Sequence, residues 1–106
     1  MVITQQQIEE RLMARYGYNE REAASAAAKL SALQPALQEA FLRWWETAEL
    51  PEMEVEGYTA QELIEDKGMM PPAAILALDW LMRQPDVARA ALERKVDYIE
   101  RPQREE

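Results

Sequence analysis

Cysteine and histidine are both absent from this chain of 106 residues. Without cysteine there is no disulfide and no thiolate, which excludes cysteine-based nucleophilic catalysis and thiol redox chemistry. Without histidine the chain lacks a favoured zinc ligand and the side chain that ordinarily titrates near neutral pH. Glycine is scarce, at three residues, while 48% of the residues are apolar and 30% are charged. This composition is typical of a folded, helix-rich domain.

Long apolar runs are also missing. The apolar run at residues 71–78 is far shorter than the roughly 20 residues that span a bilayer as a helix. The first ten residues, MVITQQQIEE, do not show the basic and then apolar pattern of a signal peptide. We therefore expect a soluble cytoplasmic protein. Its length suits one domain with its own core.

Basic residues are missing from one long stretch, and this gap accounts for the net charge. Residues 44–66, which we call the acidic window, contain eight acids and no lysine or arginine. Elsewhere twelve acids equal twelve bases, so the net charge of −8 arises in this window. Such a window repels nucleic acid phosphates and attracts basic partners. Its acids are Glu46, Glu49, Glu52, Glu54, Glu56, Glu62, Glu65 and Asp66.

Capping signals and proline positions predict where the helices begin. Capping boxes, in which a polar side chain and a Glu or Gln three residues later bond each other's backbone, are expected at Thr4–Gln7, Asn19–Glu22 and Thr59–Glu62. Prolines at positions 35, 71 and 85 fit the first turn of three further helices. Predicted helix ends are Gly17, near Leu33, Pro51, Gly68, near Arg83 and near Ile99.

The apolar pattern predicts what these helices bury. The third helix carries one continuous stripe, formed by Leu37, Phe41, Trp44, Trp45 and Ala48. Residues 50–58 then alternate, with Met53 and Val55 inward and glutamates outward, which predicts an ordered extended loop. The fifth helix is apolar on all sides, as expected of a buried central helix.

The predicted fold is therefore all-α, a compact orthogonal array of five to six short helices with an extended loop near residues 50–58. Residues 1–100 form a single helical domain in this prediction. Residues 101–106 form a frayed C-terminal tail, because they carry almost no apolar anchor.

Few residues suited to catalysis remain once cysteine and histidine are excluded. Ser25 and Ser31 lie in helical sequence with neither a base partner nor a glycine elbow. Asp79 is the one acid placed among apolar residues. Three roles stay open for it: an ion pair with Arg83, an interface contact, or acid–base chemistry in a pocket. We predict that the protein is not an enzyme and has no catalytic residues.

Metal and nucleic acid sites are not expected either. The pattern Glu52-x-Glu54-x-Glu56 offers oxygen ligands but lacks the order of an EF-hand calcium loop. Alternate residues of an extended segment lie ~6.6 Å apart, which is too far for three of them to grip one ion. We predict no metal and no cofactor. Bases near the C-terminus alternate with acids, so direct nucleic acid binding is not expected.

Two interpretations of the acidic window stay open. It is a solvated face that keeps the protein soluble, or it is a docking surface for a basic groove of another protein. Trp44 and Trp45 belong first to the apolar stripe, but one of them, if partly exposed beside acids, would be an interface anchor. We take Trp44 and the eight acids as candidate partner-binding residues.

Residues 37–92 resemble small acidic helical proteins of bacterial phages and integrative elements, particularly those of gut Firmicutes. The similar pieces are RWWET at residues 43–47, EVEGYT at 54–59 and LDWL at 78–81. This resemblance implies an origin in mobile elements, whose small acidic proteins often inhibit host defence or modify host machinery, anti-CRISPR proteins among them. It implies no functional residue.

The sequence thus predicts a small acidic protein-binding module. We expect it to inhibit a basic or nucleic-acid-handling protein, as the resemblance to mobile-element proteins implies. The competing prediction is a structural or oligomerisation protein. In that case the alanine-rich second helix or the last helix mates with a second copy as a homodimer. No membrane partner is expected.

Overall fold

The computed structural model describes residues 3–93 of the chain. Six α-helices make up most of this part: α1 Gln5–Tyr16, α2 Glu20–Leu30, α3 Pro35–Thr47, α4 Ala60–Lys67, α5 Pro71–Arg83 and α6 Pro85–Glu93. Over these residues the only β-type pairing is an isolated bridge between Val55 and Tyr58. The prediction of an all-α fold with five to six short helices is confirmed.

Local capping fixes three helix starts as predicted. In α1 the Thr4 hydroxyl accepts a hydrogen bond from the Gln7 backbone N–H at 3.1 Å, and the Gln7 side chain accepts one from the Thr4 N–H at 2.8 Å. The same reciprocal pair begins α2 at Asn19 and α4 at Thr59. Each box satisfies backbone donors that the first helical turn leaves unpaired.

Left-handed glycines end two helices at the predicted positions. Gly17 ends α1 and Gly68 ends α4, with φ of 74° and 73°. After Gly68 the backbone N–H of Met69 bonds the carbonyl of Leu63, and the Met69 side chain is buried. This is the arrangement in which an apolar residue after the glycine packs back on the helix it ends.

The end of α2 is earlier than predicted. The helix stops at Leu30 and not near Leu33. Its connection to α3 ends at Gln34, which has ψ of 147°. The ring of Pro35 disfavours helical backbone at the residue before it, so the chain straightens before α3 begins.

The predicted end of α3 at Pro51 is wrong. The helix stops at Thr47, and Ala48 adopts a left-handed conformation with φ of 66°. Ala48 is exposed, so it does not extend the buried stripe. The hydroxyl of Thr47 accepts a hydrogen bond from the backbone N–H of Glu49 at 3.2 Å, which satisfies a donor that another helical turn would have paired.

Helix α5 is the buried centre of the fold, as predicted. Nine of its 13 residues are buried, and α3, α4 and α6 pack against it. The side chains of Ile75, Leu78 and Leu81 are completely inaccessible to solvent. Burial of an aliphatic side chain of this size contributes about 1.5–3 kcal/mol, so α5 anchors the three helices around it.

Helices α1 and α2 form a second extensively packed pair. The buried face of α2 consists of three fully buried alanines, Ala23, Ala26 and Ala27, together with Leu30. Such small side chains let two helix backbones approach closely. The alanine-rich face of α2 is therefore already used inside the chain.

Helix α6 is described as far as Glu93. Three of its residues are buried: Ala88, Ala91 and Leu92. The predicted helix end near Ile99 and the predicted tail at 101–106 lie outside the described residues. Among residues 3–93, no helix is both long enough and apolar enough to cross a membrane.

Candidate interaction surface

The α3–α4 connection, residues 48–59, carries four of the acidic window's eight acids and contains one tight turn. Val55 and Tyr58 exchange two backbone hydrogen bonds of 2.8 and 2.9 Å. Between them Glu56 and Gly57 have φ of 52° and 87°, as a two-residue type I′ turn requires. Val55 is buried and Met53 half-buried, as predicted. The predicted alternation is wrong at Glu56, which lies in the turn and not on an extended segment.

All eight acids of the acidic window are exposed. They lie on the last turn of α3, the α3–α4 connection and α4. Within residues 3–93, Glu56 alone among them has a cation in ion-pair range, with Arg89 Nη1 at 3.8 Å from its carboxylate. Glu62 has a structural task as well, because it completes the capping box of α4. The surface therefore keeps most of its negative charge uncompensated by the described part of the chain.

Trp44 is a core residue and not a surface anchor. Its exposed fraction is 7%, and its ring lies 5.9 Å from that of Phe41 and 6.2 Å from that of Tyr16, measured between centroids. Burial also raises the pKa of the Tyr16 hydroxyl. The choice of Trp44 as a partner-binding residue conflicts with this position, because its indole has little surface left to offer.

Trp45 is the half-buried member of the pair, and Arg11 of α1 covers it. The guanidinium carbon of Arg11 lies 3.7 Å from the centroid of the Trp45 ring. Arg11 Nη1 also donates to the Trp45 carbonyl at 3.0 Å, which pairs an acceptor left open where α3 ends. No local sequence pattern indicates this contact, because 34 positions separate the two residues.

A surface groove of about 950 Å³ separates α3 from the α3–α4 connection. One wall is a stripe of α3 made of Ala36, Glu39, Ala40 and Arg43. The other wall is formed by residues 48–53, and the groove ends at the first residues of α4. The groove was not predicted from the sequence. Its signal was the spacing of three, four and seven residues on α3, at which small and charged side chains share one face.

The groove has a negative rim. Glu39 on α3 and Glu49 and Glu52 on the connection line it, against one base, Arg43. All four residues are exposed, so their charged groups meet solvent at the groove's edge. Glu49 and Glu52 belong to the predicted partner-binding set, whereas Glu39 precedes the acidic window and was not considered.

Asp79 has a structural role, which selects one of the three possibilities left open for it. Its Oδ2 accepts a hydrogen bond from Arg83 Nε at 2.8 Å, and its Oδ1 accepts one from the backbone N–H of Gln34 at 3.0 Å. Arg83 Nη2 donates in turn to the carbonyl of Ala32. The carboxylate therefore ties α5 to the connection between α2 and α3, and both of its oxygens are engaged.

Over residues 3–93, no group of three or more acidic side chains is arranged to hold a metal ion.

No protein-family model, curated protein or solved structure matches the chain. What the surface can do follows from its own residues. An exposed, mainly unpaired set of carboxylates beside a groove is suited to binding complementary charge.

Proposed function

We propose that the acidic window is a docking surface for a protein partner with a basic surface. The observation that carries the proposal is that all eight acids are exposed, while one of them has a cation in ion-pair range within the described residues. A carboxylate paired inside its own chain has less charge to offer a partner. Here most of the charge is available.

Electrostatic complementarity defines how such a surface works. It steers encounter with basic partners and rejects acidic ones, and it contributes more to association rate and selectivity than to affinity. At physiological ionic strength its field decays over about 8 Å, so it acts near contact. The proposal therefore expects binding that weakens as salt concentration rises.

The partner class we favour handles nucleic acid. A channel that binds phosphates presents several lysines and arginines on one surface, and an acidic face can occupy it in place of the nucleic acid. Inhibition of this kind, as in anti-CRISPR proteins, is also what the resemblance to mobile-element proteins implies. We propose that the protein acts in the cytoplasm by binding and performs no catalytic step.

Reversal of three central charges tests the proposal. We expect the variant with Glu52→Lys, Glu54→Lys and Glu56→Lys to lose proteins that the unmodified chain captures from a bacterial lysate, because their basic surfaces then face lysine. The captured proteins are quantified by mass spectrometry at low and at raised salt. Circular dichroism shows that the variant is folded.

A matched control separates local charge from total charge. Glu10, Glu20 and Glu93 are exposed and lie outside the acidic window. Their replacement by lysine gives the same net charge as the first variant, and we expect it to leave capture intact. Equal capture by the folded window variant would show that the acids form only a solvated face.

A further inference from the structure

The groove between α3 and the α3–α4 connection combines a negative rim with an apolar floor. Its apolar lining, which we call the floor, consists of Ala36 and Ala40 on α3 and of Leu50, Pro51 and Met53 on the other side. Leu50, Met53 and Ala40 are half-buried, and Ala36 is exposed. Solvent therefore reaches apolar surface inside a concave, negatively edged site.

The dimensions of the groove suit a short stretch of polypeptide. Its α3 wall runs from Ala36 to Arg43, which is ~10 Å at a helical rise of 1.5 Å per residue. An extended chain advances roughly 3.3 Å per residue, so about three of its residues fit along this wall. Ligand pockets commonly enclose roughly 300–1,000 Å³, and the groove's volume of about 950 Å³ lies at the upper end of that range.

Charge and polarity decide what that stretch contains. The rim carries three carboxylates, those of Glu39, Glu49 and Glu52, and one guanidinium, that of Arg43. Its net negative charge therefore favours cations. In an extended chain, successive side chains point to opposite sides. One residue can therefore enter the apolar floor while its two neighbours reach outward to the rim.

We propose that the groove receives an extended segment of the partner in which an apolar residue lies between two basic residues. This inference rests on the proposed function and specifies how the partner is recognised. The acidic window attracts a basic surface, and the groove then selects partners that insert an apolar side chain. Arg43 lies beside the carboxylates and is suited to bonding a backbone carbonyl of the inserted segment.

Short synthetic peptides test the inference directly. The probes are Gly-Ser-Lys-Leu-Lys-Ser-Gly, the same peptide with phenylalanine at its centre, and a third with serine there. Each is titrated to millimolar concentration into the ¹⁵N-labelled full chain, and amide shifts are followed by NMR. We expect either apolar peptide to bind at least fivefold more tightly than the serine peptide, with shifts centred on Ala40, Leu50 and Met53.

Two variants show whether this binding occurs in the groove. Ala36→Trp places a bulky ring in the groove without changing charge, and we expect it to weaken the apolar peptides at least fivefold. Ala24→Trp places the same ring on an exposed position of α2 and should leave their binding unchanged. If Ala36→Trp does not fold, Glu49→Gln with Glu52→Gln removes two rim charges at exposed positions and should also weaken binding.

Three results would overturn the inference: no peptide binds, the serine peptide binds as tightly as the others, or the groove variants bind like the unmodified chain. These results differ from a failure of the proposed function. If charge reversal abolishes partner capture while Ala36→Trp preserves it, the acidic surface is functional and the groove is not. If charge reversal has no effect, the docking proposal itself fails.

Discussion

Asp79 connects two parts of the fold that are far apart in sequence, and its removal has a calculable cost. Its side chain accepts the backbone N–H of Gln34 at the start of α3 and pairs with Arg83 at the end of α5. Asp79 is 9% exposed. We expect Asp79→Ala to destabilise the fold because the N–H of Gln34 loses its acceptor in a place that water reaches poorly.

The two contacts contribute unequally to that cost. A partly buried donor left without an acceptor costs about 1–3 kcal/mol. The Arg83 side chain is 46% exposed, so its guanidinium can return to water. Loss of a pair exposed to this degree costs about 0.5–1 kcal/mol. We therefore expect Asp79→Ala to lower the free energy of unfolding by about 2–3 kcal/mol, or the melting temperature by roughly 10 °C.

Urea unfolding followed by tryptophan fluorescence measures this change, with an unchanged m-value as the check that the unfolding transition itself is the same. Asp79→Asn keeps an oxygen acceptor for Gln34 and loses the negative charge, so it should cost about 1 kcal/mol. A double-mutant cycle with Arg83→Ala should give a coupling free energy of about 0.5–1 kcal/mol. A cost of less than about 0.5 kcal/mol for Asp79→Ala, or an Asn variant as costly as the Ala variant, would refute this role of Asp79.

Two further predictions concern the boundary of α3 and the turn that follows it. Arg11→Ala should lower stability by about 1–2 kcal/mol and shift tryptophan emission to longer wavelength, because Trp45 loses both its cover and the donor to its carbonyl; unchanged emission would contradict this. Glu56→Asn should raise stability by about 0.5–1 kcal/mol in thermal unfolding, because asparagine tolerates positive φ and Asn-Gly favours the type I′ turn. A loss of stability would instead show that the pair with Arg89 outweighs backbone strain.

Features encoded within a few residues were predictable from the sequence. The capping boxes at Thr4, Asn19 and Thr59 each need two side chains three positions apart, and Gly17 and Gly68 end helices by their own backbone freedom. These contacts do not depend on the rest of the fold. The helix starts and the glycine-determined ends therefore followed from local physical chemistry.

Features set by distant contacts were not predictable in the same way. The end of α3 depends on Arg11 of α1, which donates to the carbonyl of Trp45, and on the Thr47 hydroxyl, which accepts from the backbone N–H of Glu49. Pro51 is a stronger signal in the sequence, yet the chain leaves the helix before reaching it. A Glu-Gly pair likewise does not indicate a type I′ turn as Asn-Gly does, so Glu56 was predicted to lie on the extended segment and not in a turn.

Of the candidate site, only the concentration of negative charge in the acidic window could be predicted from the sequence. That Glu52 and Glu54 lie outside could be inferred from their alternation with Met53 and Val55. The groove could not, because it exists only where the α3 stripe through Ala36 and Ala40 faces a connection that turns back along it. Glu39 was overlooked for the same reason, since it joins the acidic rim in space and not in sequence.

Structural tasks and negative charge are largely carried by different residues in the α3–α4 connection. Pro51 and Val55 are the buried residues of this connection, and Gly57 provides the positive φ that the turn requires. Glu52 and Glu54 are exposed and contribute to neither. Replacement of such residues ordinarily changes stability by less than about 0.5 kcal/mol. The fold therefore does not require a glutamate at either position, and a loss of partner capture on reversing their charge would report on the surface itself.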